Sequence, residues 1–495
     1  MKKVFLIIYI SLIINTLHAA GKFEFTPLAR QAYEKTLALK FDEANVLLAQ
    51  LRKNDPQNLV VFYIENHQQC LRIFISEDKS EFDRLSADAE NRLKALKNGD
   101  PNSPYCLFTQ AQVRLFLAMN RAKFGNYLDA FNDATKAYEN LQTNQKKFPD
   151  FLPNKMTLGV LHAVVGSIPD TYKWGIKLLS GMDGTIQQGQ AEIEEVIKYA
   201  QNNDYIFEQE ALVMYAFLML HLNNNDNAAW NVVNNGRLKP KESQLACFAL
   251  ANVAMRTGRT DKAIEILQSR PTAAGYYPVH FLDYMTGLAK SFRGDGDADT
   301  YFKRFAANFK GRNYLKEVHQ RLAWFELLRG NSVGYIAYIE KCKSVGRADI
   351  GNDKNALKEA KSGIPPDPIL LRARLFFDGG YHQKAYDLLK NKKETDYSQP
   401  NAKMEYYYRM GRITHAMKKS NEAIQAYNQT IQLGKSSKYY FACASSLQLG
   451  IIYEEYKQYE KARQFYNYCL QLNPDDYADS FHAKAKAGVN RVKGK

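Results

Sequence analysis

Six cysteines in 495 residues are too few for a disulfide-built scaffold. Cys70, Cys106, Cys247, Cys342, Cys443 and Cys469 form no CxxC pair and no metal-type spacing, so buried thiols are the default expectation. The nine histidines stand singly, and neither HExxH nor GxSxG occurs. Two near-motifs fail on their required positions. Gly434-Lys435-Ser436 ends like a phosphate loop, but Gln429 stands where the first glycine is needed and the segment follows a helix, so a helix-end turn is expected. Asp295, Asp297 and Asp299 alternate as in a calcium loop, but Thr300 replaces the turn glycine and Ala306 the bidentate glutamate, which leaves an interhelical turn. No catalytic constellation, cofactor site or metal site is therefore expected. Long basic runs are also lacking, and past the N-terminus no stretch is apolar enough to span a membrane.

What is present begins at the N-terminus, MKKVFLIIYISLIINTLHAA. Lys2 and Lys3 precede an apolar stretch from Val4 to Leu17 broken only by Ser11, Asn15 and Thr16, and His18-Ala19-Ala20 ends it with small residues. Residues 1–20 are expected to be a secretory signal peptide of bacterial type, with the mature chain exported to the periplasm or cell envelope. An uncleaved anchor is the other reading, but the run falls short of the ~20 residues that span comfortably. No cysteine follows it, so a lipid anchor is not indicated. Removing Lys2 and Lys3 lowers the formal charge from +15 to +13. That excess suits acidic protein surfaces, phosphorylated headgroups or cell-wall polymers, while export argues against nucleic acid. Scattered, solvated surface charge is the plain alternative.

Residues 443–476, CASSLQLGIIYEEYKQYEKARQFYNYCLQLNPDD, supply a ruler. With Cys443 as position 1, Leu449 and Gly450 fall at 7 and 8, Tyr453 at 11, Ala462 at 20, Tyr466 at 24, Cys469 at 27 and Pro474 at 32. Two antiparallel helices approach closely where each offers a small residue, here Gly450 and Ala462. Large apolar residues surround that contact, and Pro474 ends the second helix. The same ruler fits from Phe25, with Ala32 and Ala44 at positions 8 and 20. It fits again near Gln209, Gln244, His280 and Lys316, whose position-8 residues are Ala216, Ala251, Gly287 and Ala323. Position 20 is Ala228 and Ala263 in the first two of these, Ala298 comes one residue early in the third, and Tyr335 stands there in the fourth. Units from Pro366 and Met404 pair Ala373 with Ala385 and Gly411 with Ala423.

The expected organisation is therefore all-α. It comprises a signal peptide (1–20), N-terminal helical hairpins with one repeat-like unit (21–146), an irregular Gly/Pro-containing helical insertion (147–205) and repeats (206–342). A polar connecting segment (343–365), three C-terminal repeats (366–476) and a capping helix with a basic tail (477–495) follow.

Over roughly two thirds of the chain these units resemble tetratricopeptide repeats. The resemblance implies an α-solenoid, a right-handed superhelix of helical hairpins that binds a protein or peptide in its concave groove. Residues 159–184 are also similar to the tetratricopeptide-repeat-domain-39 / inclusion-body-clearance family, through Gly159, Ser167 with Pro169, Leu178 with Leu179, and Gly181 with Gly184. That family is mostly eukaryotic and not exported.

In such repeats positions 2, 5, 9 and 12 of the first helix line the groove. Here they include Leu370, Arg374, Phe377, Tyr408, Arg412, His415, Leu447, Ile451 and Glu454. Arg374 and Arg412 on neighbouring helices, flanked by Phe377 and Tyr408, make a cationic, aromatic-lined trough suited to an acidic peptide or chain end. The Lys/Asn arrangement of chaperone-tail-binding repeats is not present. The competing reading is a solvated groove with internal ion pairs such as Glu405 to Arg409. A non-catalytic envelope scaffold for a partner protein is the leading expectation. A glycan or cell-wall-polymer binder is the alternative, prompted by the 13% aromatic content. A third reading, an enzyme built around 147–189, would use His162, Asp170, Tyr172 and Asp183. Oligomeric state and partner identity are not legible at this level.

Overall fold

The computed structural model describes residues 20–495 except 169, 223 and 224, and the side chains of 170–174 are outside the described set. The leader expected over residues 1–20 falls outside the described residues save for Ala20, and so do Pro169 and the side chains of Asp170 and Tyr172.

Twenty-five α-helices and no strand make up the described residues. They divide into two compact units. The first comprises residues up to 162 with 179–208 and 273–277, and the second comprises 163–178, 209–272 and 278–495. The first unit is built on α1 (Pro27–Leu37), α2 (Phe41–Asn54), α3 (Val60–Ser76), α4 (Lys79–Lys97), α5 (Pro104–Lys123), α6 (Tyr127–Lys147), the part of α7 (Leu152–Gly166) up to His162 and, after α8 (Asp170–Ser180), which is counted mostly with the second unit, α9 (Ile186–Ala200). Proline at the first helical position with a hydroxyl cap starts two of these helices. Thr26 accepts from the Ala29 amide before Pro27, and Ser103 from the Tyr105 amide before Pro104. Isolated bridges tie Gly21 to Gly99 and Lys22 to Asn58. Aromatic rings fill the interior, where Tyr33, Tyr63, Phe108 and Phe207 meet at centroid distances of 5.6 to 6.4 Å.

The second unit runs through α10 (Glu208–His221), α11 (Asp226–Val233), α12 (Gln244–Arg256), α13 (Thr260–Gln268), α14 (Phe281–Arg293), α15 (Ala298–Asn308), α16 (Leu315–Leu328) and α17 (Ser332–Ser344). It continues with α18 (Gly351–Ser362), α19 (Pro368–Asp378), α20 (His382–Leu389), α21 (Pro400–Ala416), α22 (Ser420–Gly434), α23 (Phe441–Glu455), α24 (Tyr459–Gln471) and α25 (Ala478–Val492). From α12 to α17 and from α19 to α25 each helix packs on the next.

The small residue at position 8 has a more specific role than allowing two backbones to approach. A Cβ on Gly450 would lie 2.5 Å from Cδ1 of Tyr466, one on Gly411 would lie 2.7 Å from Cε1 of Tyr427, and one on Gly287 would lie 2.8 Å from Phe302. The missing side chain makes room for the ring at position 24, one residue early in the Phe302 unit. Alanines at position 20 are fully buried, as Ala44, Ala263, Ala385, Ala423 and Ala462 show. In the unit from Gln209 the register is displaced by one residue. Ala229 is the fully buried residue, and Ala228 stays partly exposed.

Position 15 carries a second regularity. The backbone turns through the left-handed region there in seven ruler-fitted units, at Leu39, Gly258, Gly294, Gly330, Gly380, Lys418 and Lys457. This one residue reverses the chain between paired helices.

The array is not uniform. The segment 343–365, expected as a polar connection, contains α18, which packs on α16 and α17. Beyond it α19 packs against α14 as well as α16. The turns at Gly258 and Gly380 close on each other, with Thr260 Oγ1 donating to the Gly379 carbonyl at 2.7 Å.

Candidate functional site

The trough predicted from the ruler lies between α19 and α21. Asp367 starts α19 by accepting the Ile369 and Leu370 amides, with Pro368 at the first helical position. This fixes the rotation that turns Leu370, Leu371, Ala373 and Leu375 into the core and leaves Arg374 and Phe377 at its edge. The Arg412 guanidinium lies 4.1 Å from the Phe377 ring centroid and 6.0 Å from that of Tyr408. Arg374 stands 5.2 Å from the Trp324 ring. Both arginines turn toward one carboxylate. Asp378 Oδ2 is 3.7 Å from Arg374 Nε, and Oδ1 is 3.9 Å from Arg412 Nη1, with the arginine side chains 37% and 35% exposed. These separations exceed hydrogen-bond length, so the guanidinium donors keep capacity for another acceptor.

His415 is half-buried, edge-on to Tyr427 at 6.3 Å. Burial pulls its pKa below the usual histidine value, which keeps it neutral at pH 7. Tyr408 departs from the expectation that it lines the groove. Its ring is buried with Met404, Tyr427 and Phe441, because a phenol at that register is long enough to reach the seam between α21 and α23. Leu370 and Leu447 are also core, because their aliphatic side chains pack within their own hairpins, on Ala385 and Leu389 and on Ala462 and Tyr466. Glu454 is directed toward the C-terminal helix, where it pairs with Arg491 at 2.9 Å and accepts the Tyr466 hydroxyl at 2.6 Å. The internal pair Arg409–Glu405 forms at 2.7 Å.

Two contributors escaped the sequence reading. Asp378 follows Arg374 by one helical turn, which was a usable sign of i,i+4 pairing. Trp324 occupies position 9 of the unit from Lys316, a groove position by the same ruler. Its indole N–H donates to Glu359 of α18 at 2.7 Å. Asn352 and Gln320 complete the α16–α18 contact, bonding Glu317 and Glu359 at 2.7 and 2.6 Å.

A second polar concavity lies within the first unit, about 420 Å³ in volume. His162 Nδ1 and Glu192 Oε2 are 2.7 Å apart, and Gln188 Nε2 bonds both side chains, at 3.0 and 3.1 Å. Asp183 and Gly184 form part of the wall, and the Gly184 backbone sits so close to His162 that a side chain there would collide. The side chains of Asp170 and Tyr172, the other two members of the enzyme reading, lie outside the described residues. The aspartates of the calcium-like turn are held by cations of the chain. Lys290 bonds Asp295 and Asp297 at 3.3 and 2.8 Å, and Lys303 bonds Asp299 at 2.6 Å.

Residues 405–433 and 445–476 match the tetratricopeptide repeat family. No curated protein matches the chain. Among solved structures, the chain is similar to the P58(IPK) TPR domain, at 15% identity over 83% of this chain and 97% of that one, with a TM-score of 0.22. It is also similar to the APC/C hetero-tetramer Cut9–Hcn1, at 12% identity over 94% and 96%, with a TM-score of 0.26. The chain thus carries tetratricopeptide repeats in its C-terminal part, and the trough at Arg374 and Arg412 opens where the first matched repeat meets the hairpin before it.

Proposed function

We propose that this chain is a non-catalytic scaffold that binds a partner protein or peptide through the trough of Arg374, Phe377 and Arg412, and that the partner presents an acidic segment. One observation carries the reading. Two arginines on successive first helices face a single carboxylate, Asp378, at 3.7 and 3.9 Å, neither within hydrogen-bond length, beside the half-buried ring of Phe377. An incoming carboxylate completes the pairing, and Phe377 supplies apolar contact. The two matched tetratricopeptide repeats, 405–433 and 445–476, the first of which carries Tyr408 and Arg412, support a binding role, since such repeats present first-helix side chains to a partner. Glycan binding is not favoured, because the larger rings are occupied in the core, Tyr33, Tyr427, Tyr466 and Phe108 among them.

The test is fluorescence anisotropy with labelled acidic peptides and their lysine counterparts against wild type and the double reversal Arg374→Glu/Arg412→Glu. Binding of the acidic set, weakened at least ~10-fold by the reversal and falling with salt, supports the assignment. Equal binding by the reversed protein would remove it. We also infer that the chain works in the cell envelope after losing residues 1–20, from Lys2-Lys3, the apolar run and the small residues that close it. The mass of the protein recovered from its native source tests this, and an intact Met1 in the soluble fraction refutes it.

A further inference from the structure

The return of α19 to α14 leaves a crevice among α14, α16 and α19, about 300 Å³ in volume. Its walls include Trp324, Phe325, Leu328 and Leu375, with Arg372 and Arg329 among them. Arg372 is half-buried and has neither a hydrogen bond nor a carboxylate partner among the described residues. Arg329 lies 5.3 Å from the Phe325 ring, again without a carboxylate. One acid does reach the crevice, Asp295, but it is neutralised by Arg293 at 2.5 Å and Lys290 at 3.3 Å. Gly294 brings its backbone close to the arginine, since a Cβ there would stand 3.6 Å from Arg372 Nη1 and 3.1 Å from the Phe376 ring.

A half-buried guanidinium with no partner is costly to fold around, and its planar fork matches a carboxylate. The apolar walls set the other half of the ligand. A phosphate dianion would be desolvated against Phe325, Leu328 and Leu375, whereas a carboxylate joined to an aromatic or aliphatic body would match both parts. The volume lies at the lower end of the about 300–1,000 Å³ typical of ligand pockets, enough for a body the size of one large side chain.

We propose that this crevice is a binding site for a monocarboxylate carried on an apolar body, paired to Arg372. It shares the Trp324 ring with the Arg374–Arg412 trough, but its arginine is a different one, on the other side of Ala373. Two sources share this chemistry, a small free acid and an apolar residue at the end of a peptide chain.

The experiment uses the full chain, calorimetry and saturation-transfer NMR. The probes are 3-phenylpropionate, N-acetylphenylalanine, N-acetylphenylalaninamide, and a short peptide ending in phenylalanine as acid and as amide. Saturable binding of the acids, at least ~10-fold weaker for the amides and for Arg372→Gln, supports the site. Arg372→Lys, which keeps the charge and loses the fork, falls between. Should Arg372→Gln fail to fold, Ser291→Trp, which fills the crevice from α14 without touching the arginine, must abolish binding instead. Stronger binding of the peptide acid assigns the source to a chain end, and equal binding of 3-phenylpropionate assigns it to a small acid. Either result upholds the carboxylate site. Equal binding of acid and amide, undiminished binding by both variants, or no saturable binding of any probe overturns it.

Discussion

Gly450→Ala sets two known effects against each other. Alanine in a helix interior is favoured over glycine by ~0.8–1.0 kcal/mol, so propensity alone predicts stabilisation. Packing predicts the reverse. The new Cβ would stand 2.5 Å from Cδ1 of Tyr466, whose side chain is fully buried. The ring has no retreat, because its opposite edge lies against Gly488, where a Cβ would also fall 2.5 Å from Cε2 and Cζ. Its hydroxyl is held by Glu454 at 2.6 Å. Overpacking costs about 1–3 kcal/mol, and a ring blocked on both edges puts this case at about 2–3 kcal/mol, so the net expectation is a loss of roughly 1–2 kcal/mol, confined to the last repeats. Hydrogen exchange of α23 and α24 reads the local change, and urea denaturation reads the whole. Gly175→Ala is the control, since nothing lies within 4 Å of its added Cβ and it should stabilise α8. Tyr466→Leu placed on Gly450→Ala should recover part of the loss, giving a coupling of about 1 kcal/mol in a double-mutant cycle. A Gly450→Ala protein as stable as wild type would refute the idea that position 8 exists for the ring at position 24.

Three further outcomes follow from separate features. The buried Asp353 accepts the Tyr314 and Glu317 amides at 2.6 and 3.0 Å, and burial, aided by the Glu317 charge, pushes its pKa up to about 6. A folded pKa above the unfolded value contributes stability that is full below about pH 4 and lost as pH rises through about 6, some 2–3 kcal/mol. Asp353→Asn should therefore flatten the difference in urea stability between pH 4.5 and 7.5 relative to wild type, and an unchanged difference would count against the assignment. Lys457 holds a left-handed backbone at φ 57°, so Lys457→Gly should raise stability by up to about 1 kcal/mol, whereas a loss would show that its side chain matters more than its backbone. Cys443 and Cys469 place their sulfurs 3.5 Å apart. Diamide, a two-electron thiol oxidant, should link them, detected as one cross-linked peptide two hydrogens lighter than the pair, and two free thiols after treatment would contradict the geometry.

Positions 8, 20 and 27 were legible because they obey local sterics repeated at a fixed period. Ala44, Ala263 and Cys469 are all fully buried, as such a rule demands. Position 15 was not legible, since Leu39, Lys418 and Lys457 share no composition with the glycines that occupy it elsewhere, and only the backbone shows that they do the same work. The misread groove residues, Tyr408, Leu370 and Leu447, are ones whose apolar or aromatic bodies the core takes up. Tyr408 was placed by its angle on the helix, but its reach carried it into the seam with α23. The register of Ala228 failed by one residue, in the unit where the turn between helices precedes an eight-residue α11. Arg372 was passed over because an unpaired arginine differs from a paired one only through neighbours far along the chain.

The helix α18 was the largest omission, and its chemistry bears on the trough. GNDKNALKEAKS reads as a polar linker because its polar groups are meant for buried partners. Glu359 takes the Trp324 indole and Gln320, Asp353 takes two backbone amides of the α16 start, and Ala356 and Ala360 give the narrow apolar stripe. It therefore covers positions 2, 5 and 9 of α16, which are groove positions in a regular repeat, and supplies there a carboxylate from within the chain. Burial raises the pKa of Glu359, while the charge of Arg374 opposes that rise, so the two groups share a field. If Glu359 partly neutralises Arg374, then Glu359→Gln, which keeps an acceptor for Trp324, should tighten acidic-peptide binding two- to tenfold, the equivalent of about 0.4–1.4 kcal/mol. The gain should vanish when Arg374→Gln is added, because the effect runs through that arginine. Glu359→Gln with unchanged affinity, or a gain that survives loss of Arg374, would mean that α18 closes the groove by shape alone and leaves the electrostatics of the trough to Asp378.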